Sequence, residues 1–238
     1  MMHIEDIAYD FEGTEMIGHL AFDDSRSGRR PAVLLSHEGP GLDAHVKGRA
    51  ERLAELGYVA LALDYHGGGV PVPFDEMMDR LGPLMTDLDL TQRLGLAGLD
   101  VLTSHSVTDA SRVACIGYCW GGAMSMQIAR SGADVKAVVG FHPGLVVAPG
   151  TDKITASVLM CIGTDDPFIP ADARVAFEDD LTSAGVKDWN LEVYGGVGHS
   201  FTNRSADMAG MPGVAYHAAS DNRSWASMLR LFGETSDA

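Results

Sequence analysis

The sequence predicts an α/β fold: one mostly parallel central sheet with helices on both faces. Three observations predict it. Short, near-continuously apolar runs recur along the chain, among them "PAVLLSHEG", "YVALALDY" and "SVLMCIGT", as expected of strands buried on both faces. Between them lie segments with apolar residues at helical spacing. The two kinds alternate, which is the order of β-α-β units.

The elements follow in order. "IEDIAYDF" and "EMIGHLAF" flank a turn at Glu12-Gly13-Thr14 and predict an N-terminal β-hairpin. "SRSGRR" (25–30) is a polar linker, and "PAVLLSHEG" a strand ending near Ser36 before Gly-Pro-Gly. "AHVKGRAERLAELG" is a helix closed by Gly57, "YVALALDY" a strand and "HGGGVPVPF" (66–74) a loop. Residues 75–104 are helical, with an interruption expected near Gly82-Pro83. Then come strand "RVACIGY", helix "WGGAMSMQIARSG", strand "VKAVVGFH", loop "PGLVVAPGTDK", strand "SVLMCIGT", helix "ADARVAFEDDLTSAG", strand "WNLEVYGG" and a final helix "SDNRSWASMLRLF". With no repeat, low-complexity tract or evident boundary, residues 1–238 are expected to form a single domain.

Composition narrows the function. The chain has 238 residues, 46% hydrophobic and 21% charged, with a formal net charge of −16. That field repels nucleic acid and anionic membrane surfaces and otherwise serves solubility. An anionic small molecule would need a local arginine pocket. The three cysteines, Cys115, Cys119 and Cys161, match neither a zinc site nor a disulfide framework. The opening "MMHIEDIAYDFEG" has neither the basic nor the apolar region of a signal peptide, and no apolar run has the length of a membrane span. A cytoplasmic protein, monomeric or homodimeric, with no cofactor and no metal is expected.

In parallel sheets the site lies at the carboxyl ends of the strands. The residues there are His37-Glu38-Gly39, His66, Cys119, His142, Asp165-Asp166 and His199. Gly117-Tyr118-Cys119-Trp120-Gly121 fits the pattern G-x-nucleophile-x-G. Its glycines permit a sharp strand-to-helix turn that exposes the central side chain, and the following helix N-terminus favours a thiolate and a developing oxyanion. Taken alone, the motif fits tight helix–strand packing equally well. Its partners decide: "GTDDPFIP" and "GGVGHSF" follow in the chain order nucleophile, acid, histidine. Asp166, which immediately precedes "PFIP", is preferred over Asp165 as the acid. Gly67-Gly68-Gly69 lacks the Lys-Ser/Thr of a phosphate loop and is expected to be mobile.

Together "LLSHEGPGL", "ALDYHG", "GYCWGG", "GTDDPFIP" and "YGGVGHSF" resemble, in order and over nearly the whole chain, the dienelactone hydrolase family of α/β-hydrolases. The resemblance implies an α/β-hydrolase fold and a Cys119-Asp166-His199 triad. It implies that Glu38 helps control ionisation of the thiol, and that the N–H groups of Gly39 and Trp120 form the oxyanion hole. The implied activity is hydrolysis of carboxylic esters or lactones, of carboxymethylenebutenolidase type, through a thioester. The family's best-known members hold the dienelactone carboxylate with arginines. Here Asn203 stands four residues past His199 and Arg204 one later, with Arg80 as a second candidate cation and Arg223 a third. Phe168 and Trp120 are expected in the pocket wall, with Tyr65 and His142 as further substrate-lining residues. The rival readings are a non-catalytic member that binds a ligand or partner, and a redox-sensing cysteine, which has no C-x-x-C to support it.

Overall fold

In a computed structural model that describes residues 1–73 and 75–235, the two N-terminal runs pair as a hairpin. Strands β1 (Met2–Phe11) and β2 (Thr14–Asp23) are antiparallel, with Phe11 opposite Thr14. Between them Glu12 and Gly13 both take positive φ, 51° and 84°, the backbone that a two-residue hairpin turn demands.

The described residues hold eight strands and six α-helices in two compact units, Met1–Cys115 and Ile116–Ala238. In the first, β2 runs antiparallel to β4 (Val59–Leu63), and β4 runs parallel to β3 (Arg30–Ser36). Ala32 to Leu35 and all of β4 are buried, which accounts for their unbroken apolar sequence. Helix α1 (Ala44–Glu55) starts where Asp43 Oδ1 accepts the N–H groups of His45 and Val46, an ordinary N-cap.

The long helical stretch divides later than the sequence implies. Helix α2 (Met77–Thr86) carries Pro83 inside it, and α3 (Leu88–Ser104) begins after Asp87. Asp87 takes an extended backbone, and its carboxylate accepts Leu90 N–H at 2.9 Å. A side chain that caps the next helix sets the break more firmly than a proline whose helix ends within a turn. Phe74, the last residue of the expected 66–74 loop, lies outside the described residues.

Strand β5 (Thr108–Tyr118) starts four residues before the apolar run that reveals it, because residues 109–112 are only partly buried or exposed. In the second unit β6 (Ala137–Phe141), β7 (Ser157–Gly163) and β8 (Trp189–Tyr194) are parallel. Helices α4 (Trp120–Arg130), α5 (Ala171–Ser183) and α6 (Ala218–Thr235) accompany them. Every residue of α4 is buried, as its sequence of small and apolar residues allows. The sheet is mixed, since the hairpin supplies antiparallel strands, and the fold is that of an α/β-hydrolase. Among the described residues no helix is long and apolar enough to cross a membrane.

Candidate active site

The turn between β5 and α4 holds Cys119 at φ 54°, ψ −122°, a conformation that a non-glycine residue adopts only when its surroundings impose it. The surroundings do so through the backbone. Cys119 N–H donates to Phe141 O at 3.0 Å, and Cys119 O accepts from Gly122 N at 3.0 Å and Gly144 N at 3.1 Å. The first glycine of the motif is obligatory for space: a Cβ on Gly117 would overlap the Gly121 carbonyl. Cys119 is half-buried, whereas Cys115 and Cys161 are fully buried. Burial pushes the Cys115 thiol up to about 12, and burial together with Glu192 raises that of Cys161 still further. Trp120 is the first residue of α4, so its N–H has no acceptor within the helix.

Two loops of the same unit present Asp166 and His199. Asp166 follows β7, with its side chain inaccessible, and accepts Phe168 N–H on Oδ1 at 2.9 Å. Its Oδ2 meets His199 Nδ1 at 2.6 Å. Asp165 is exposed and bonded to Thr164 Oγ1, so it does not share the histidine. The His199 loop is pinned by its main chain: His199 N–H donates to Gly213 O at 2.7 Å and His199 O accepts from Ala215 N at 3.1 Å. A Cβ on Gly198 would overlap the Gly213 carbonyl, which explains the glycine before the histidine.

Burial alone would lower the pKa of His199. The charge of Cys119 and the hydrogen bond that His199 donates to Asp166 overcome it and lift the value to about 10. No hydrogen bond of good geometry reaches His199 Nε2 among the described residues, so Cys119 acts on the ring through charge and proximity more than through an aligned bond. The ring lies between two others. Phe168, 56% exposed, is edge-to-face with it at a centroid distance of 4.9 Å, and His142 is edge-to-face at 4.9 Å.

The structure corrects one of the expected substrate contacts. His142 has no exposed surface, so it backs His199 and does not line a cavity. Arg204 is exposed, and its guanidinium lies over the Tyr216 ring. Arg223 is exposed on α6.

The other expected residues belong to the first unit. Glu38 and Gly39 are buried just past β3. Tyr65 is buried, and its hydroxyl donates to the carbonyls of His37 at 2.9 Å and Glu38 at 3.0 Å. It therefore braces that turn, and only 3% of its surface remains for any ligand. His37 Nδ1–H donates to Glu38 O at 2.6 Å, and His66 Nε2–H to Gly39 O at 2.7 Å. Burial keeps both imidazoles below their ordinary pKa. Arg80 is exposed, at the limit of hydrogen-bonding distance from His66 O.

Two residues with no assignment from the sequence carry weight. Thr202 bonds to His142 at 2.9 Å. Asp64 is fully buried, and its carboxylate accepts the N–H groups of His66, Gly67, Gly69 and Ile17. The glycine loop is thus tied down, contrary to the mobility expected of it. An aspartate at the end of an apolar strand, just before three glycines, was the available signal.

Comparisons with known proteins bear on the family and the fold. The model of the dienelactone hydrolase family matches residues 17–236. A Salmonella typhimurium protein named "Putative carboxymethylenebutenolidase" is 30% identical, over 94% of this chain and 84% of that one. A Bradyrhizobium protein named "Probable 2-oxo-3-(5-oxofuran-2-ylidene)propanoate lactonase" is 26% identical, over 85% of this chain and 83% of that one. Among solved structures, the dienelactone hydrolase-like promiscuous phosphotriesterase P91 from metagenomic libraries is 38% identical, with a TM-score of 0.95 and 98% of both chains covered. A match across this much of the sequence and of the fold places the chain in the dienelactone hydrolase family.

Proposed function

We propose that this ester and lactone hydrolase works through a Cys119-Asp166-His199 triad and a thioester intermediate. The observation that carries the reading is the buried 2.6 Å bond between Asp166 and His199, on an imidazole that Cys119 itself holds towards the cationic form.

The chemistry follows from the geometry. His199, oriented by Asp166, takes the Cys119 proton, and the thiolate attacks the carbonyl carbon. Negative charge moves onto the carbonyl oxygen, where the Trp120 N–H at the start of α4 stabilises it. The tetrahedral intermediate collapses, the C–O bond breaks, and the His199 imidazolium protonates the departing alkoxide or enolate. A lactone opens at this point and keeps its leaving oxygen in the same molecule. His199 then takes a proton from water, hydroxide adds to the thioester, and the carboxylic acid leaves as the thiol is restored. A thiolate leaves more readily than an amine, so esters and lactones with stable leaving groups suit this site better than amides. The Bradyrhizobium lactonase among the relatives supports the lactone side of the assignment.

A second reading rests on P91, 38% identical and described as a promiscuous phosphotriesterase. The same thiolate would add to a phosphotriester phosphorus and expel an aryloxide protonated by His199, and water would then cleave the sulfur–phosphorus bond.

The test is turnover of p-nitrophenyl acetate, dienelactone and a p-nitrophenyl dialkyl phosphate by wild type and Cys119→Ala. The variant is expected to lose orders of magnitude on every substrate that the wild type turns over. Equal rates would sink the nucleophile assignment. Absence of wild-type turnover of the phosphotriester would remove the second reading alone.

A further inference from the structure

Asp166 holds His199 at one atom, Nδ1. A single hydrogen bond leaves the ring free to swing about that contact. Phe168 covers one side but is itself 56% exposed, so it is a poor stop. The firm surface lies on the buried side, where a second histidine takes no part in the steps above.

His142 directly follows β6 with φ 41°, an uncommon backbone for a residue other than glycine or asparagine. Its N–H donates to Cys161 O at 2.8 Å. Its ring stands edge-to-face on His199 at 4.9 Å and on Phe201 at 5.3 Å, and is tilted against Tyr118 at 6.1 Å. Its Nε2 is hydrogen-bonded to Thr202 Oγ1 at 2.9 Å. Thr202 is 1% exposed and sits three residues beyond His199. The pair therefore ties the end of β6 to the loop that carries the histidine, and it does so against the histidine ring. An apolar ring could fill the same volume, but it could not register the two segments through a directional bond. Unusual backbone geometry held by buried partners is a mark of functional positions.

We propose that the His142–Thr202 pair is a positioning device that fixes the plane of the His199 imidazole relative to Cys119. The inference rests on the reading of His199 as the base of the triad. His142 itself touches no substrate. It acts by limiting the arc through which His199 can turn, so its loss lowers the fraction of enzyme with Nε2 directed at the sulfur.

The experiment compares wild type, Thr202→Val, Thr202→Ser and His142→Asn. Two quantities are read: steady-state kinetics on p-nitrophenyl acetate, and the rate at which iodoacetamide alkylates Cys119. Valine keeps the volume of Thr202 and removes the hydroxyl, serine keeps the hydroxyl, and asparagine tolerates the positive φ while removing the ring. Thr202→Val and His142→Asn are expected to lower kcat about 10- to 100-fold with KM nearly constant, and to slow alkylation of Cys119. Thr202→Ser is expected to restore both. Wild-type kcat and alkylation in Thr202→Val would overturn the inference. So would a raised KM at constant kcat, which marks a substrate contact, or a serine variant as impaired as the valine one, which marks packing of the methyl group. Cys119→Ala reports separately on the underlying reading: full activity there removes the triad, whereas an inactive Cys119→Ala beside a wild-type-like Thr202→Val removes only the positioning role.

Discussion

Replacing Asp166 with asparagine tests the electrostatics of the site most directly. The perturbation removes one charge and leaves the volume unchanged. In the wild type the carboxylate meets His199 Nδ1 at 2.6 Å, with side-chain exposures of 0% and 7% for acid and base. Solvent screening is therefore slight. A hydrogen bond to a charged group in such a setting contributes about 1.5–3 kcal/mol. At about 1.4 kcal/mol per pKa unit this corresponds to ~1–2 units. The sign follows from what raises the value: Cys119 and Asp166 favour the imidazolium, which stands at about 10. In the proposed mechanism His199 is protonated when it donates to the leaving group, so kcat/KM is expected to fall as pH rises through about 10. In Asp166→Asn that basic limb should move down to about 8–9. The rate at the optimum should drop about 100-fold or more, because the amide also fails to select the ring tautomer. The assay is the pH profile of kcat/KM on an alkyl ester, whose alkoxide leaving group needs that proton, corrected for spontaneous hydrolysis. Asp165→Asn is the control, since Asp165 is exposed and bonded to Thr164, and should behave like wild type. A basic limb that stays in place in Asp166→Asn, or moves only in Asp165→Asn, would refute the assignment.

Three further outcomes follow from the same geometry. Iodoacetamide should modify Cys119 at least ~100-fold faster than Cys115 or Cys161, whose buried thiols resist ionisation; peptide mapping that shows equal labelling would contradict this. Gly117→Ala drives a methyl group into the Gly121 carbonyl and should destabilise the protein by about 3 kcal/mol or more, or prevent folding; an unchanged urea midpoint would show that the turn is not packed as described. Asp64→Asn leaves one acceptor oxygen where the carboxylate serves four N–H groups, and should cost about 2–4 kcal/mol in chemical denaturation; a change below about 0.5 kcal/mol would mean that the glycine loop does not depend on it.

What could be read from the sequence was whatever rests on local rules. The strands are apolar because both faces are buried, so "VALAL" in β4 announces itself. The elbow announces itself because a sharp turn needs small residues at fixed offsets from Cys119, and Gly117 has no room for a methyl group. Asp166 was separable from Asp165 only by its place before Pro167, yet the structure buries one and exposes the other. Where two local rules compete, the reading slips: Pro83 suggested the helix break, and Asp87 makes it by capping α3. Polar groups buried by tertiary contact leave no such mark. His142 and Thr202 are sixty residues apart, and nothing near either one indicates the other. Their pairing exists because β6 ends beside the loop that returns from β8, a relation set by the sheet and not by spacing. The elbow motif and the chain order of Cys119, Asp166 and His199 thus point to the proposed reacting residues, while the pair proposed to position His199 becomes visible only once the chain is folded.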